Sequence, residues 1–132
     1  MTKIPSIFLL LFLMGGGCSQ KIEEGAFDSP AWKGDSFACK GERQRLVPAF
    51  QDLRVRLFGH NPKEVIALFG RPDAEELRAG SERVFIYYVE PGPQCEPKRG
   101  ASEANKVQVR FNALNQVSEV SYTQPIGDLL RQ

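Results

Sequence analysis

Asn61-Pro62-Lys63-Glu64-Val65-Ile66-Ala67-Leu68-Phe69-Gly70-Arg71-Pro72-Asp73 decides the fold class, because both ends of a short helix are written into it. Asn61 can cap the first turn with its side-chain oxygen, and Pro62 takes the first helical position, where a missing N–H costs nothing. Glu64 stands where the carboxylate of a capping box returns to the cap N–H. Gly70 can adopt the left-handed conformation that ends a helix, and Pro72 forbids its continuation. Three segments of alternating side chains follow. A capped helix ahead of a meander of strands predicts an α+β domain.

Residues 83–89 form the first predicted strand, β-branched and aromatic throughout. Val84, Ile86 and Tyr88 share one face; Phe85, Tyr87 and Val89 share the other. Residues 106–111 alternate, with Val107, Val109 and Phe111 opposite Lys106, Gln108 and Arg110. In residues 116–122, Val120 and Tyr122 oppose Glu119 and Ser121. Two of the strands therefore declare one buried face, as an antiparallel sheet covered by helices should. The first strand is apolar on both faces, so one aromatic set is expected to point outward, to be covered by another part of the chain or by a partner. Phe85 and Tyr87 are the candidate partner contacts from that strand, with Lys106 and Arg110 from the polar face of its neighbour.

Upstream, residues 42–58 carry Leu46, Phe50, Leu53 and Leu57 at intervals of four, three and four, one face of a helix. The helix is expected from about Glu42, with an irregularity near Pro48. Arg43 and Arg54 fall on one flank of the stripe, Arg45 and Arg56 on the other. Their stems are expected to cover the rim of the core while the guanidinium groups stay wet, with Asp52 and Glu64 as candidate partners. The turn at residues 58–61 is short enough to make a helix hairpin. His60 reads as a loop residue there. Residues 73–81 read as a polar bridge.

This combination resembles the BamE (SmpA/OmlA) lipoprotein domain over roughly residues 42–122. The resemblance rests on the Asn61–Asp73 stretch quoted above, on Val84-Phe85-Ile86-Tyr87-Tyr88, on Val107-Gln108-Val109-Arg110-Phe111 and on Gln116-Val117. It implies two helices packed on a three-stranded antiparallel sheet, ααβββ in order. It also implies a protein–protein role in the machinery that inserts β-barrels into the outer membrane, with phospholipid contact as an accompaniment.

The chain is 132 residues long, room for one small domain. Lys3 precedes the apolar run Ile7-Phe8-Leu9-Leu10-Leu11-Phe12-Leu13-Met14, and Gly15-Gly16-Gly17-Cys18 follows. The run is shorter than the ~20 residues a membrane-spanning helix needs, so residues 1–17 read as a signal peptide. The Gly-Cys junction is similar to the lipobox of bacterial lipoproteins, although Gly15 stands where that pattern prefers leucine. Cys18 is accordingly the expected lipidation site, residues 18–30 a lipid-anchored tether, residues 31–122 the domain with an aromatic N-terminal arm (Trp32, Phe37), and residues 123–132 a tail. Ser19 is not the aspartate that retains lipoproteins in the inner membrane, which directs the expectation to the outer membrane, periplasmic side.

Three cysteines leave Cys39 and Cys95 as a pair once Cys18 carries lipid, and an exported chain permits a disulfide. Two independent buried thiols are the alternative. Residues 90–105 form a long loop rich in proline and glycine; fixing it at Cys95 would present Lys98 and Arg99 to a partner.

Of 17 Lys and Arg only Lys3 precedes Cys18, so the remainder balances the 16 Asp and Glu. No global field draws the chain to nucleic acid. It has no phosphate loop, nucleotide fingerprint, nucleophile elbow or metal-ligand spacing. The expected function is a non-catalytic, lipid-anchored scaffold without cofactor, metal or small-molecule substrate; the alternative is a binding or inhibitory module acting on a soluble envelope partner.

Overall fold

The computed structural model describes residues 20–97 and 100–131. Cys18, Lys98 and Arg99, together with residues 1–17, lie outside them. Three short helices, α1 (Ser29–Lys33), α2 (Glu42–Leu53) and α3 (Pro62–Phe69), pack on one face of an antiparallel sheet. The strands β1 (Ala74–Arg78), β2 (Glu82–Tyr88), β3 (Lys106–Phe111) and β4 (Val117–Tyr122) lie in sequence order, four rather than the three expected.

The additional strand is the segment read as a polar bridge. Ala-Glu-Glu-Leu-Arg has neither alternation nor β-branching, so nothing local marks it. It becomes a strand because β2 offers a free edge and the turn at Ala79–Ser81 folds back in register, with Gly80 at φ 78° and Ser81 at φ 63°. Tertiary pairing overrides propensity there.

The capping box of α3 forms from both sides: Asn61 Oδ1 accepts from Glu64 N at 3.0 Å, and Glu64 Oε2 accepts from Asn61 N at 3.0 Å. Gly70 closes the helix at φ 76°, ψ −173°, a positive φ but not the left-handed helical well. Helix α2 begins at Glu42 and continues as α-helix through Pro48; the irregularity falls at Arg54–Arg56, which tighten into a 3₁₀ turn. Val47 and Phe50, on either side of the proline, are both buried, and that packing offsets the missing backbone hydrogen bond.

The two expected helices are joined by a third. Helix α1 packs against both α2 and α3, and its Trp32 lies between Phe50 and Phe69, at ring-centroid distances of 5.4 and 5.6 Å. Asp28 caps α1 through Oδ1, which accepts from Ala31 N at 3.0 Å. Residues 20–30 are consequently part of the domain, which corrects the expected tether: Ile22 and Phe27 are buried, and Phe27 meets Trp32 and Phe69, each at 5.4 Å. Burying a large apolar side chain is worth ~1.5–3 kcal/mol, so Ile22 and Phe27 together offset part of the entropy lost in ordering the segment.

The core faces of β2 and β3 carry Phe85, Tyr87, Val107, Val109 and Phe111, and Val89 follows just past β2. On β4, Val117 and Val120 are both buried although three residues apart, a spacing that period-two alternation forbids. A bulge resolves it: Arg110 pairs with Glu119 and Phe111 with Val117, leaving Ser118 unpaired. The tail also contributes to the core, since Leu129, in a 3₁₀ turn packed on α2, is buried.

Candidate docking surface and its supporting polar cluster

Arg43 sits on α2 one turn before the core residue Val47, and its place on the helix flank suggests a wet guanidinium. The structure corrects this. Arg43 is 1% exposed, and its Nη1 lies 2.6 Å from Asp73 Oδ2. Nε donates to Trp32 O at 3.1 Å, and the guanidinium carbon stands 5.0 Å from the Trp32 ring centroid and 5.8 Å from that of Tyr87.

Asp73 completes the junction. Its Oδ1 accepts from Phe37 N at 3.0 Å and its Oδ2 from Tyr88 N at 2.8 Å. Beside it the buried Asp35 accepts from Lys40 N at 2.7 Å and Arg43 N at 2.9 Å, so it serves as the cap that Gly41, with no side chain, cannot supply. A charge buried without a partner would cost several kcal/mol; here one ion pair and backbone donors satisfy it while joining arm, α2 and sheet.

Past Trp32 the arm crosses from the core side of the sheet to its outer side. Phe37, at φ 61°, stacks on Tyr88 with centroids 6.3 Å apart. Cys39 and Cys95 are joined there, with an S–S distance of 2.10 Å and a Cα–Cα distance of 5.6 Å. The loop between β2 and β3 is organised by the fully buried Gln94, whose Nε2 donates to Phe37 O at 3.0 Å and Glu90 O at 2.8 Å. Ser102 Oγ donates to Gln94 Oε1, and Ser102 N donates to Tyr88 Oη at 3.1 Å. Gly92 is needed because a Cβ there would meet Ala104 Cβ at 2.7 Å and Gln94 Oε1 at 2.8 Å.

The outer face of the sheet follows from the register. Glu76 and Arg110 flank Val84, Ala74 and Gln108 flank Ile86, and Lys106 flanks Tyr88. Among the described residues no α-helix covers this face, yet Val84, Ile86 and Tyr88 are 0%, 3% and 3% exposed. Long side chains roof them: Arg78 Nη2 reaches Gln108 Oε1 at 3.5 Å, and Arg110 Nη1 reaches Glu119 Oε2 at 3.1 Å. Lys106 Nζ donates to Ser102 O at 2.9 Å above the Tyr88 ring, 5.3 Å from its centroid. Between this roof and the arm lies a groove of about 320 Å³ lined by Phe37, Ala74, Glu76, Ile86, Tyr88 and Lys106.

The expected contact residues therefore divide. Lys106 and Arg110 are on the outer face. Phe85 and Tyr87 are each 1% exposed and belong to the core, which corrects their reading as partner contacts: the outward set of β2 is Val84, Ile86 and Tyr88. Tyr87 Oη donates to Gly70 O at 2.9 Å, and burial pushes its phenol well above the ordinary range. The pairing of Arg43 with Asp73 and the role of Gln94 have no sequence signal, because a lone arginine, aspartate or glutamine carries no spacing.

At the opposite end of the sheet, His60 Nδ1 lies 2.8 Å from Glu64 Oε2. The Asn61 amide, followed by His60 and the Gln20 amide, holds the Glu64 carboxyl below its ordinary range and outweighs its burial. Among the described residues, no group of three or more His, Cys, Asp or Glu is placed to hold a metal ion. No helix among them is long and apolar enough to cross a membrane.

Fold and site define a disulfide-linked α+β module with helices on one sheet face and a polar, grooved surface on the other. Comparison of the chain with protein-family models, curated proteins and solved structures returns no match.

Proposed function

We propose that this protein is a non-catalytic envelope lipoprotein, anchored through Cys18, that docks a protein partner on the outer face of its sheet. The groove beside Phe37 and Tyr88 carries the reading. It is an apolar floor with charged walls, held by the arm, the Cys39–Cys95 bond and the Arg43–Asp73 pair, and rigid concave surfaces of this kind suit a partner segment. The charged groups most able to do chemistry are engaged in holding structure: Asp73 and Arg43 with each other, and Glu64 with a helix cap.

The resemblance to BamE-like domains gives the β-barrel assembly machinery of the outer membrane as the partner. The fourth strand, the added helix α1 and the disulfide-linked arm are departures from the ααβββ pattern, and β1 and the arm contribute Ala74, Glu76 and Phe37 to the groove. That favours a partner of the chain's own within the envelope. Control of a soluble envelope enzyme is the second reading, supported by the fixed position of the Cys95 loop next to the groove.

Co-purification from detergent-solubilised membranes separates the two. Recovery of a barrel-assembly subunit supports the first reading, and recovery of one soluble enzyme supports the second. A protein that emerges alone in repeated preparations contradicts both.

A further inference from the structure

The first described residue is fastened to the domain. Gln20 N donates to Glu64 Oε1 at 2.9 Å, and Ile22 is buried two residues later. Only Ser19 separates Gln20 from Cys18 in the sequence. Two peptide steps reach at most ~7 Å, so a lipid carried by Cys18 would be tethered close to Gln20.

Two large apolar side chains stand at that place. Phe58, 49% exposed, and Leu114, 78% exposed, line one groove of about 460 Å³ together with Gln20, His60, Asn61 and Gln116. Phe58 precedes the turn pinned to β4, where Gly59 N donates to Val117 O at 3.0 Å and Val117 N to His60 O at 2.9 Å. Leu114 tips the β3–β4 hairpin, in a turn closed by Asn112 Oδ1 and by Asn115 at φ 56°. The exposed Lys21 and Lys63 line an adjoining groove together with Gln20, Glu24 and Glu64. Exposed apolar tips next to a charged groove edged by lysine side chains match the boundary between acyl chains and headgroups.

We propose that this end of the molecule lies on the bilayer, with Phe58 and Leu114 inserted at the headgroup boundary. The anchor then orients the domain as well as retaining it. The loop between β2 and β3, carrying Cys95, leaves the sheet from the opposite end, so it points away from the lipid and the outer sheet face stands upright for a partner. The inference deepens the proposed function and rests on lipidation of Cys18.

The test uses the lipoprotein isolated from membranes, carrying Leu114→Trp, Phe58→Trp or Glu103→Trp, in vesicles of phosphatidylethanolamine and phosphatidylglycerol with or without doxyl-labelled lipid. Trp32, fully buried, supplies a constant background measured in the unsubstituted lipoprotein. Its near-ultraviolet dichroism reports whether each variant is folded. Tryptophan suits the interface, so the emission added at positions 58 and 114 should fall by about half in the doxyl vesicles, and that at 103 should not change. A mass spectrum of the N-terminal peptide is taken from the same preparation. If the lipid is present and neither 58 nor 114 is quenched more than 103, the orientation is overturned and the anchor stands. If the lipid is absent, the anchor and the orientation fall together.

Discussion

Arg43 and Asp73, thirty residues apart, form an ion pair of 2.6 Å in which both side chains are almost fully buried, 2% and 3% exposed. The pair joins the flank of α2 to the start of β1, and its remaining hydrogen-bonding capacity goes to the backbone at Trp32, Phe37 and Tyr88. It is the point where arm, helix layer and sheet meet.

Removing both members should therefore cost much less than the two single removals added together. Asp73→Ala is expected to destabilise by about 3–5 kcal/mol, because it leaves the guanidinium buried without a counter-charge. Arg43→Met should cost a comparable amount. The double variant should lose much less than the sum of the two. Urea unfolding of the four proteins measures the coupling, and additive losses would contradict it.

The Cys39–Cys95 bond spans 56 residues, for which loop entropy gives about 4 kcal/mol. Cys39→Ala/Cys95→Ala should lower the denaturant midpoint by a corresponding amount. Hydrogen exchange should rise first at residues 36–40 and 93–95, where Phe37 and the loop meet Tyr88. Exchange that stays unchanged there would mean that Gln94 alone holds the contact.

Acid stability should report the capping box. The Glu64 carboxyl is held below its ordinary 4.5 by the Asn61 amide above all. A group with a depressed folded pKa contributes stability that is fully present above the unfolded value and lost as pH falls through the folded one. The protein should thus lose stability below pH 4.5, and Glu64→Gln should flatten that part of the profile. Asn61→Ala should cost about 1 kcal/mol and shrink the same slope. Thermal melts across the acid range check both.

How far the sequence was legible depended on whether a signal was local. The ends of α3 could be read from Asn61, Pro62, Glu64 and Gly70, since a cap is satisfied within four residues. The core faces of β3 and the start of α2 followed from periodicity. Strand β1 did not, because Ala-Glu-Glu-Leu-Arg takes its conformation from its neighbour. The burial of Val117 depends on a bulge, and that of Phe27 on a site built by three helices. For β2, apolar on both sides, the pattern does not say which face turns inward; Phe85 and Tyr87 face the core because Trp32 packs on the side they occupy. The candidate site was legible only where Lys106 and Arg110 alternate with valines. Its framework of Arg43, Asp73 and Gln94 consists of contacts between residues distant in the chain.

The central claim is that the outer sheet face receives a protein partner. The most direct measurement compares detergent-solubilised membranes from cells expressing the native protein or Arg78→Glu/Arg110→Glu. These two arginines roof Val84 and Ile86 and pair with Glu76, Glu82 and Glu119 at the surface; reversal loses those pairs and adds like-charge repulsion, so a thermal melt first establishes that the variant is folded. We expect the native protein to carry one partner through purification and the folded variant to lose it by about tenfold, the effect of reversing two rim charges. Equal recovery of that partner by both proteins would contradict docking on this face.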